Sequence, residues 1–250
     1  MKKILCIVSL VFILGCNSEY AWDCIQDSGT IIEREFRVRE FKKIQVWERV
    51  QLIVSQGDVQ NIRVETGENL MNEIQVVVKD SILTVSDRNS CNWVRDYGIT
   101  KVYVTTPNID EIRNSSGLTV LSEGPIQFEE LNLVADDRFR EDQFHIDGDF
   151  KIDSLDVARL RIFANGVSKF YLTGKANVAF FGLLDGDVRV ESANLQVNHL
   201  YFFHRSTNKM IVNPRNLIVG TITGLGDVIA KNRPPIVDVE ELYTGRLIFE

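Results

Sequence analysis

The chain has 250 residues, of which 44% are hydrophobic and 25% are charged, and its formal net charge is −7. An acidic surface repels phosphate backbones, so this composition argues against nucleic acid as a partner. After residue 15, no apolar run approaches the roughly 20 residues that a membrane-spanning helix needs.

The N-terminus has the pattern of an export signal. Lys2 and Lys3 form a short positive region, and the apolar run from Ile4 to Leu14 carries no charge. A basic start, a short apolar run and a small residue at its end are typical of a secretory signal peptide. The letters "ILGC" at 13–16 resemble a bacterial lipobox, which predicts a signal peptide over 1–15 and lipidation of Cys16. The alternative is an ordinary cleaved signal followed by an unrelated cysteine.

Lipid on Cys16 makes the membrane a predicted partner. Each buried CH₂ contributes roughly 0.8 kcal/mol, so several acyl chains on one cysteine form a stable anchor. Residues 16–34 are then a lipidated tether, and removal of the two lysines with the signal lowers the net charge from −7 to −9. We predict a lipid-anchored protein of the cell envelope, in the outer membrane, on its periplasmic or surface-exposed face.

Two further cysteines, Cys24 and Cys91, remain after the signal is removed. An even pair in an oxidising compartment predicts one disulfide, which ties the tether to the folded body. Closure of so long a loop contributes about 4 kcal/mol in the chain-entropy model. A free buried thiol and a metal site are the alternatives, and neither position has a histidine or another cysteine near it in sequence.

From Ile31 onward the dominant pattern is the alternation of apolar and polar residues. It is clearest in "FKKIQVWERVQLIVSQGD" (41–58), "NEIQVVVKDSILTVSD" (72–87) and "TKVYVTTP" (100–107). A period of two, filled with β-branched residues and bounded by Gly, Asn, Asp and Pro, predicts strands. The only helical candidate is a weak one at 69–74. We therefore predict an all-β fold in one domain over 35–250.

The second half contains a loose repeat of about 20 residues, with turn residues between short strands. The apolar pairs that begin the units are Leu131/Leu133, Leu155/Val157, Val178/Phe180, Leu195/Val197 and Leu217/Val219. The pairs that follow them are Phe144/Ile146, Phe170/Leu172, Val188/Val190, Met210/Val212 and Val228/Ala230. So short a unit must stack on its neighbours, either in a parallel β-helix or solenoid or in an antiparallel sandwich or barrel. Gly and Asn corners at irregular spacing favour the solenoid, with a more irregular N-terminal β part.

An ordered series of segments resembles one known family. The segments are "DCIQDSGTIIEREF", "FKKIQVWERVQLIVSQGD", "VETGENLMNEIQVVVKDSILTVSD", "SCNWVR", "KVYVTTPNIDEI", "NSSG", "GLGDV" and the terminal "GRLIF". Together they resemble the family of putative auto-transporter adhesins with a head GIN domain, which includes exported lipoproteins of Gram-negative bacteria. The resemblance implies a right-handed β-helix-like fold and a Cys24–Cys91 pair. The turns at 136–142 and 204–208 lack the family's glycines, which predicts longer or differently shaped corners.

The densest charge cluster, "DDRFRED" at 136–142, offers two interpretations. In polysaccharide lyases built on β-helices, carboxylates hold Ca²⁺ and a Lys or Arg acts as base, and Arg138 or Arg140 beside Asp137 imitates that arrangement. The alternative, which we favour, is a solvated loop of balancing charges. Nothing in the sequence closes the six to eight oxygens that calcium needs, and His145, His199 and His204 do not form a ligand set.

Adjacent aromatic residues occur at Phe180-Phe181 and at Tyr201-Phe202-Phe203. We expect one residue of each group to lie in the core, and the others either to pack as well or to form a sugar-stacking strip. The function predicted is a binding module or adhesin, not an enzyme and without cofactors, that presents a β-solenoid face to a polysaccharide or surface protein. The alternatives are a lyase-like enzyme and a purely structural envelope component.

Overall fold

The computed structural model describes residues 27–89, 98–141 and 143–250. Cys16, Cys24 and Cys91 lie outside these residues, so lipidation, the disulfide and the division into signal, tether and domain stay predictions. The strands are β1 (Ile31–Phe36), β2 (Lys43–Trp47), β3 (Val50–Gln56), β4 (Asn61–Gly67), β5 (Ile74–Lys79), β6 (Ile82–Asp87), β7 (Thr100–Thr106), β8 (Glu111–Ser115), β9 (Val120–Glu123), β10 (Glu130–Ala135), β11 (Phe150–Ala164), β12 (Lys169–Leu183), β13 (Arg189–His204), β14 (Met210–Ile222), β15 (Val228–Ala230), β16 (Ile236–Glu241) and β17 (Leu247–Phe249).

The all-β prediction is confirmed. The strands form one mixed sheet that bends around the core and is nearly closed. A single 3-10 turn, Met71–Glu73, stands where the weak helical signal was. Antiparallel pairing among the described residues is restricted to β1 with β4, β4 with β7, and β5 with β6. The turn between β5 and β6 is a tight hairpin, because Asp80 and Ser81 both have the positive φ that such a turn requires.

Parallel pairing arranges most of the chain in two ladders. The first ladder contains β2, β8, β10, the C-terminal parts of β11 to β14, and β16. The second contains β3, β9, the N-terminal parts of β11 to β14, β15 and β17. Successive partners in the second ladder are Phe150, Phe170, Val190, Met210, Val228 and Leu247. Their spacing along the chain is nearly constant, so the repeat read from the sequence is present as pairing in register.

The long strands change phase within their length, so alternation alone does not decide which residues face the core. In β12, Ala176 and Ala179 both face inward, and the two residues between them are not buried. Val178 and Phe180 lie in a strand, as the repeat predicted, but this three-residue step places both on its outer face. The corresponding irregular step in β14, just before the buried Ile218, places Leu217 and Val219 outside the core.

The link between β10 and β11 is longer than its counterparts. It covers residues 136–149, whereas only Glu48 and Arg49 separate β2 from β3. The strand predicted at Phe144/Ile146 is absent, because β11 begins at Phe150 and takes that place in the second ladder. The long corner predicted for 136–142 is thus observed.

The core lies between the ladders and consists of inward-facing aliphatic and phenylalanine side chains. Phe150 and Phe170 stack inside it, with ring centroids 4.8 Å apart and an interplanar angle of 8°. Burial of a side chain of this size contributes roughly 1.5–3 kcal/mol. Among the residues that the structure describes, none forms a helix long and apolar enough to cross a bilayer.

Candidate binding face and corner pocket

Four aromatic side chains lie together on the outer surface of the first ladder. Phe180 of β12 pairs in register with Tyr201 of β13, and Phe203 lies two residues further along that strand. Phe163 of β11 packs against Phe180, with ring centroids 5.6 Å apart and the planes tilted by 41°. We call these four residues the aromatic face. Their buried neighbours are Phe181 and Phe202, so the expectation that one residue of each aromatic group is core is confirmed.

A glycine makes room for the aromatic face. Gly182 lies between Phe163 and Phe203 in the ladder. A Cβ at Gly182 would lie 3.3 Å from ring carbons of both Phe163 and Phe180. Any side chain there would push the rings apart, because that distance is shorter than ordinary van der Waals contact. Tyr201 is 40% exposed, which leaves a ring available to a ligand.

Charged side chains border the aromatic face on both sides. On one side, Arg159 donates to Glu130 over 2.9 Å, and Arg161 contacts the same carboxylate. The hydrogen bond from Arg159, with the charge of Arg161, holds the pKa of Glu130 below its ordinary value. On the other side lie Asp238 and Glu240 of β16, which continue the rows of Tyr201 and Phe203. The face is therefore apolar in the middle and polar at both edges, as interaction patches commonly are.

The charged cluster at 136–142 does not converge on a site. Arg138 donates to both carboxylate oxygens of Asp136, over 2.9 and 3.0 Å. Burial raises the pKa of Asp136, but the hydrogen bonds from Arg138 outweigh it and leave the pKa lowered. Asp137 is bonded to the amide of Asn165, and Arg140 to Gln143. Asp142 lies outside the described residues. The described contacts of this cluster are local, one ion pair and hydrogen bonds to neutral amides, which agrees with a solvated loop.

The C-terminal end of the link between β10 and β11 lines a pocket that the sequence analysis did not predict. The pocket has a volume of about 460 Å³ and is lined by residues of four links between strands. They are Glu48 and Arg49, Gly98, Ser116 to Leu118, and His145 with Asp147. His145 Nε2 lies 2.7 Å from Glu48 Oε1, and Arg49 Nη2 lies 3.6 Å from Glu48 Oε2. We call this the corner pocket.

Aromatic packing holds the long link against the ladder beside the corner pocket. Phe144 stacks on Trp47 at 5.4 Å between centroids, and the Arg113 guanidinium lies 4.4 Å from the centre of the Phe144 ring. Arg113 also donates to the carbonyl of Asp136 over 2.7 Å, and its burial lowers its pKa. These contacts fix the positions of His145 and Asp147, which follow directly in the chain.

The three histidines lie in different parts of the fold. His145 lies in the corner pocket, His199 is on the outer surface and His204 is buried in the core. In the part of the chain that the structure describes, no three His, Cys, Asp or Glu side chains are grouped to hold a metal ion.

The sequence singled out the same link through the charges at 136–142 and Asp147 after them. It did not connect Asp147 with His145 or with the link between β2 and β3, which line the pocket together. The feature that could have indicated this pocket is the sequence separation between residues that pair on neighbouring strands. Leu131 pairs with Leu160, a clearly longer step than the one from Phe150 to its partner Phe170. Extra chain inserted in one corner is the kind of loop that carries function.

Comparison with known proteins assigns this architecture. The profile of the family described as "Putative auto-transporter adhesin, head GIN domain" matches residues 40–234. No curated protein matches the chain.

Several solved structures share the fold. A putative adhesin from Bacteroides fragilis is 22% identical with a TM-score of 0.77, and the match covers 88% of this chain and 97% of that one. A putative adhesin from Parabacteroides merdae is 15% identical with a TM-score of 0.61, over 89% and 97%. A putative lipid binding protein from Parabacteroides distasonis is 13% identical with a TM-score of 0.62, over 88% and 97%. At these identities the likeness concerns the fold alone.

Proposed function

This chain belongs to the family of putative auto-transporter adhesins with a head GIN domain, and from that premise we propose that it is a lipid-anchored, non-enzymatic binding module of the cell envelope. Its ligand is a polysaccharide, held on the aromatic face. The anchor is lipid on Cys16 in the outer membrane, and a Cys24–Cys91 disulfide joins the tether to the domain. The lipobox-like "ILGC" and the even cysteine pair support these two assignments.

The proposed scaffold is a right-handed, parallel β-helix-like coil from β8 onward. The second ladder supports it, because its strands pair in register at nearly constant spacing along the chain from Phe150 to Leu247. The three-residue inward steps in β11 to β13 support it as well, because each bends the strand without breaking it. A coil of this kind presents one long, flat face, which suits a linear polymer.

One observation carries the choice of ligand: aromatic rings on adjacent, in-register strands of the outer surface. Paired strands lie about 4.8 Å apart, so Phe180 and Tyr201 offer neighbouring rings to successive sugar units. Aromatic rings bind the apolar faces of ligands at low entropy cost, and the Tyr hydroxyl adds a hydrogen bond. Asp238 and Glu240 at the edge supply acceptors for sugar hydroxyls.

A lyase-like activity has little support in this geometry. Of the two bases proposed from sequence, Arg138 is held in a bidentate pair with Asp136, and Arg140 donates to Gln143 over 2.9 Å. Phe139 between them is 91% exposed. A catalytic base needs a substrate within hydrogen-bond reach and a neighbour that tunes it. The local pairing at 136–141 fits a solvated surface instead.

A glycan array probed with the full-length protein tests the proposal, alongside a pull-down from envelope extracts. We expect binding to a subset of polysaccharides, reduced for Phe180→Ala. Capture of a surface protein with no glycan signal would replace the polysaccharide by a protein ligand on the same face. No binding in either assay would contradict the proposal and favour a purely structural envelope component.

A further inference from the structure

The corner pocket carries a binding specificity that the aromatic face does not explain. We propose that it binds a saccharide unit bearing a carboxylate, such as a uronic acid, through Arg49, Glu48 and Asp147. This inference rests on the proposed polysaccharide function and names the chemical class of one subsite.

Arg49 has the properties of a ligand-binding residue. Its φ of +67° is in the left-handed region, which glycine and asparagine adopt far more readily than arginine. Its backbone N–H donates to the Ser116 carbonyl over 3.0 Å, so the link between β8 and β9 holds this conformation in place. Strained conformations of this kind concentrate at ligand sites, where the surrounding structure maintains them.

The Arg49 guanidinium lacks hydrogen-bond acceptors within the described ranges. Its Nε is buried without a partner, and Nη2 approaches Glu48 only to 3.6 Å, which is an ionic contact and not a hydrogen bond. Unsatisfied donors of a partly buried guanidinium are costly. A planar carboxylate offers two acceptors in the geometry of the guanidinium fork, so a ligand carboxylate at the Nη groups satisfies the Nη donors that the described residues leave without an acceptor.

The remaining lining selects against a bare anion. Asp147 accepts no hydrogen bond from the described protein groups, and Glu48 leaves 54% of its side chain exposed beside His145. Two carboxylates beside one guanidinium oppose a doubly charged anion such as sulfate more strongly than a singly charged carboxylate, and their free lone pairs accept hydrogen bonds from hydroxyl groups. A sugar acid meets both demands, since it carries one carboxylate and several neighbouring hydroxyls.

Size and position agree with one unit of a longer chain. The volume of about 460 Å³ is in the range of small-molecule sites. The pocket borders β2, and the aromatic face begins at β11, three ladder steps away through β8 and β10. At about 4.8 Å per step, roughly 14 Å separates them. An oligosaccharide of a few units is long enough to span that distance.

Calorimetric titration of the full-length protein with D-glucuronate, methyl glucoside, inorganic phosphate and glycine tests the proposal. We expect glucuronate to bind about tenfold or more tightly than the other three. Arg49→Asn, which keeps a residue tolerant of positive φ, should weaken glucuronate about tenfold, and Asp147→Asn should weaken it as well. Arg140→Gln, in the link between β10 and β11 but outside the pocket, should leave the affinity for glucuronate unchanged. Thermal unfolding confirms that each variant is folded.

Equal binding of glucuronate and the glucoside would overturn the proposal, and so would an unchanged affinity of Arg49→Asn. Preferential binding of glycine or phosphate would overturn it in favour of another anion. The polysaccharide function fails separately. Phe180→Ala should reduce polysaccharide binding and leave the affinity for free glucuronate intact. Unchanged polysaccharide binding in Phe180→Ala would contradict the aromatic face alone, whereas an unchanged glucuronate affinity in Arg49→Asn would contradict the corner pocket alone.

Discussion

His204 is a titratable side chain in an apolar core. It is fully buried at the end of β13, and neither ring nitrogen has a hydrogen bond of good geometry. Burial lowers its pKa to about 4, and it outweighs the Asn208 and Gly226 carbonyls and the charge of Asp227, which favour the protonated ring. The folded protein therefore holds this ring neutral at neutral pH.

Stability should consequently fall as the pH drops from about 6.5 toward 4. In this window the unfolded chain protonates His204 and the folded chain does not, so protons favour unfolding. The full effect is about 3 kcal/mol, at about 1.4 kcal/mol per pKa unit. Denaturant unfolding between pH 5 and 7 checks it. His204→Leu should flatten the dependence, and His199→Gln should preserve it. An unchanged slope in His204→Leu would refute the assignment.

Gly174 is required at the bend of β12. Its φ is +113°, and a Cβ there would lie 2.1 Å from the Leu155 carbonyl oxygen on the neighbouring strand. We expect Gly174→Ala to lower the free energy of unfolding by about 3 kcal/mol or more, since backbone must move. Gly124→Ala is the matched control: its φ of +75° carries a strain of about 1 kcal/mol, but no atom lies within 4 Å of the added Cβ. Equal losses would show that the close approach is unimportant.

Among the strands, period-two patterning predicted the first half well. The runs at 41–58, 72–87 and 100–107 became β2 with β3, β5 with β6, and β7. It failed inside β12 and β14, where an irregular step changes which residues face the core. In β12 that step has no local signature, because Asn177 and Val178 tolerate either side of a strand. Pairing with the neighbouring strands decides it, and the sequence alone does not contain that information.

The repeat length was predictable and the corner pocket was not. Gly and Asn residues recur between the short strands, and their spacing along the sequence indicated the length of the repeating unit. The pocket, however, assembles Glu48, Arg49, His145 and Asp147 from links that are far apart in sequence. Only the parallel register of β2, β8 and β10 brings those links together.

Stacking of phenylalanines within the second ladder stabilises the repeated units. Phe170 is fully buried against Phe150, and no polar group could replace its contacts. Phe170→Ala should lower the free energy of unfolding by about 3–5 kcal/mol through the cavity it leaves. Phe139→Ala, at a 91% exposed position, should change it by less than about 0.5 kcal/mol. Chemical denaturation of both variants measures the difference, and a small loss for Phe170→Ala would contradict the packing described.

For the molecule as a whole, the proposed anchor predicts its location in the cell. Replacement of the thiol in Cys16→Ser removes the lipid acceptor, so the protein should leave the membrane fraction, and its mass should lack the acyl chains. Cys91→Ser should leave the lipid in place and remove only the proposed disulfide. Membrane fractionation and intact-mass measurement check both. Retention of Cys16→Ser in the membrane would contradict the lipid anchor.

The central claim is that the outer surface of the first ladder, and not the protein surface in general, binds polysaccharide. Tyr201 and Tyr171 provide a matched comparison, since both are 40% exposed, but Tyr201 belongs to the aromatic face and Tyr171 lies on the second ladder. The most direct test is calorimetric titration of a polysaccharide selected by the glycan array into Tyr201→Ala and Tyr171→Ala. Loss of one stacking contact should weaken Tyr201→Ala about tenfold and leave Tyr171→Ala unchanged. Equal affinities of the two variants would contradict the account.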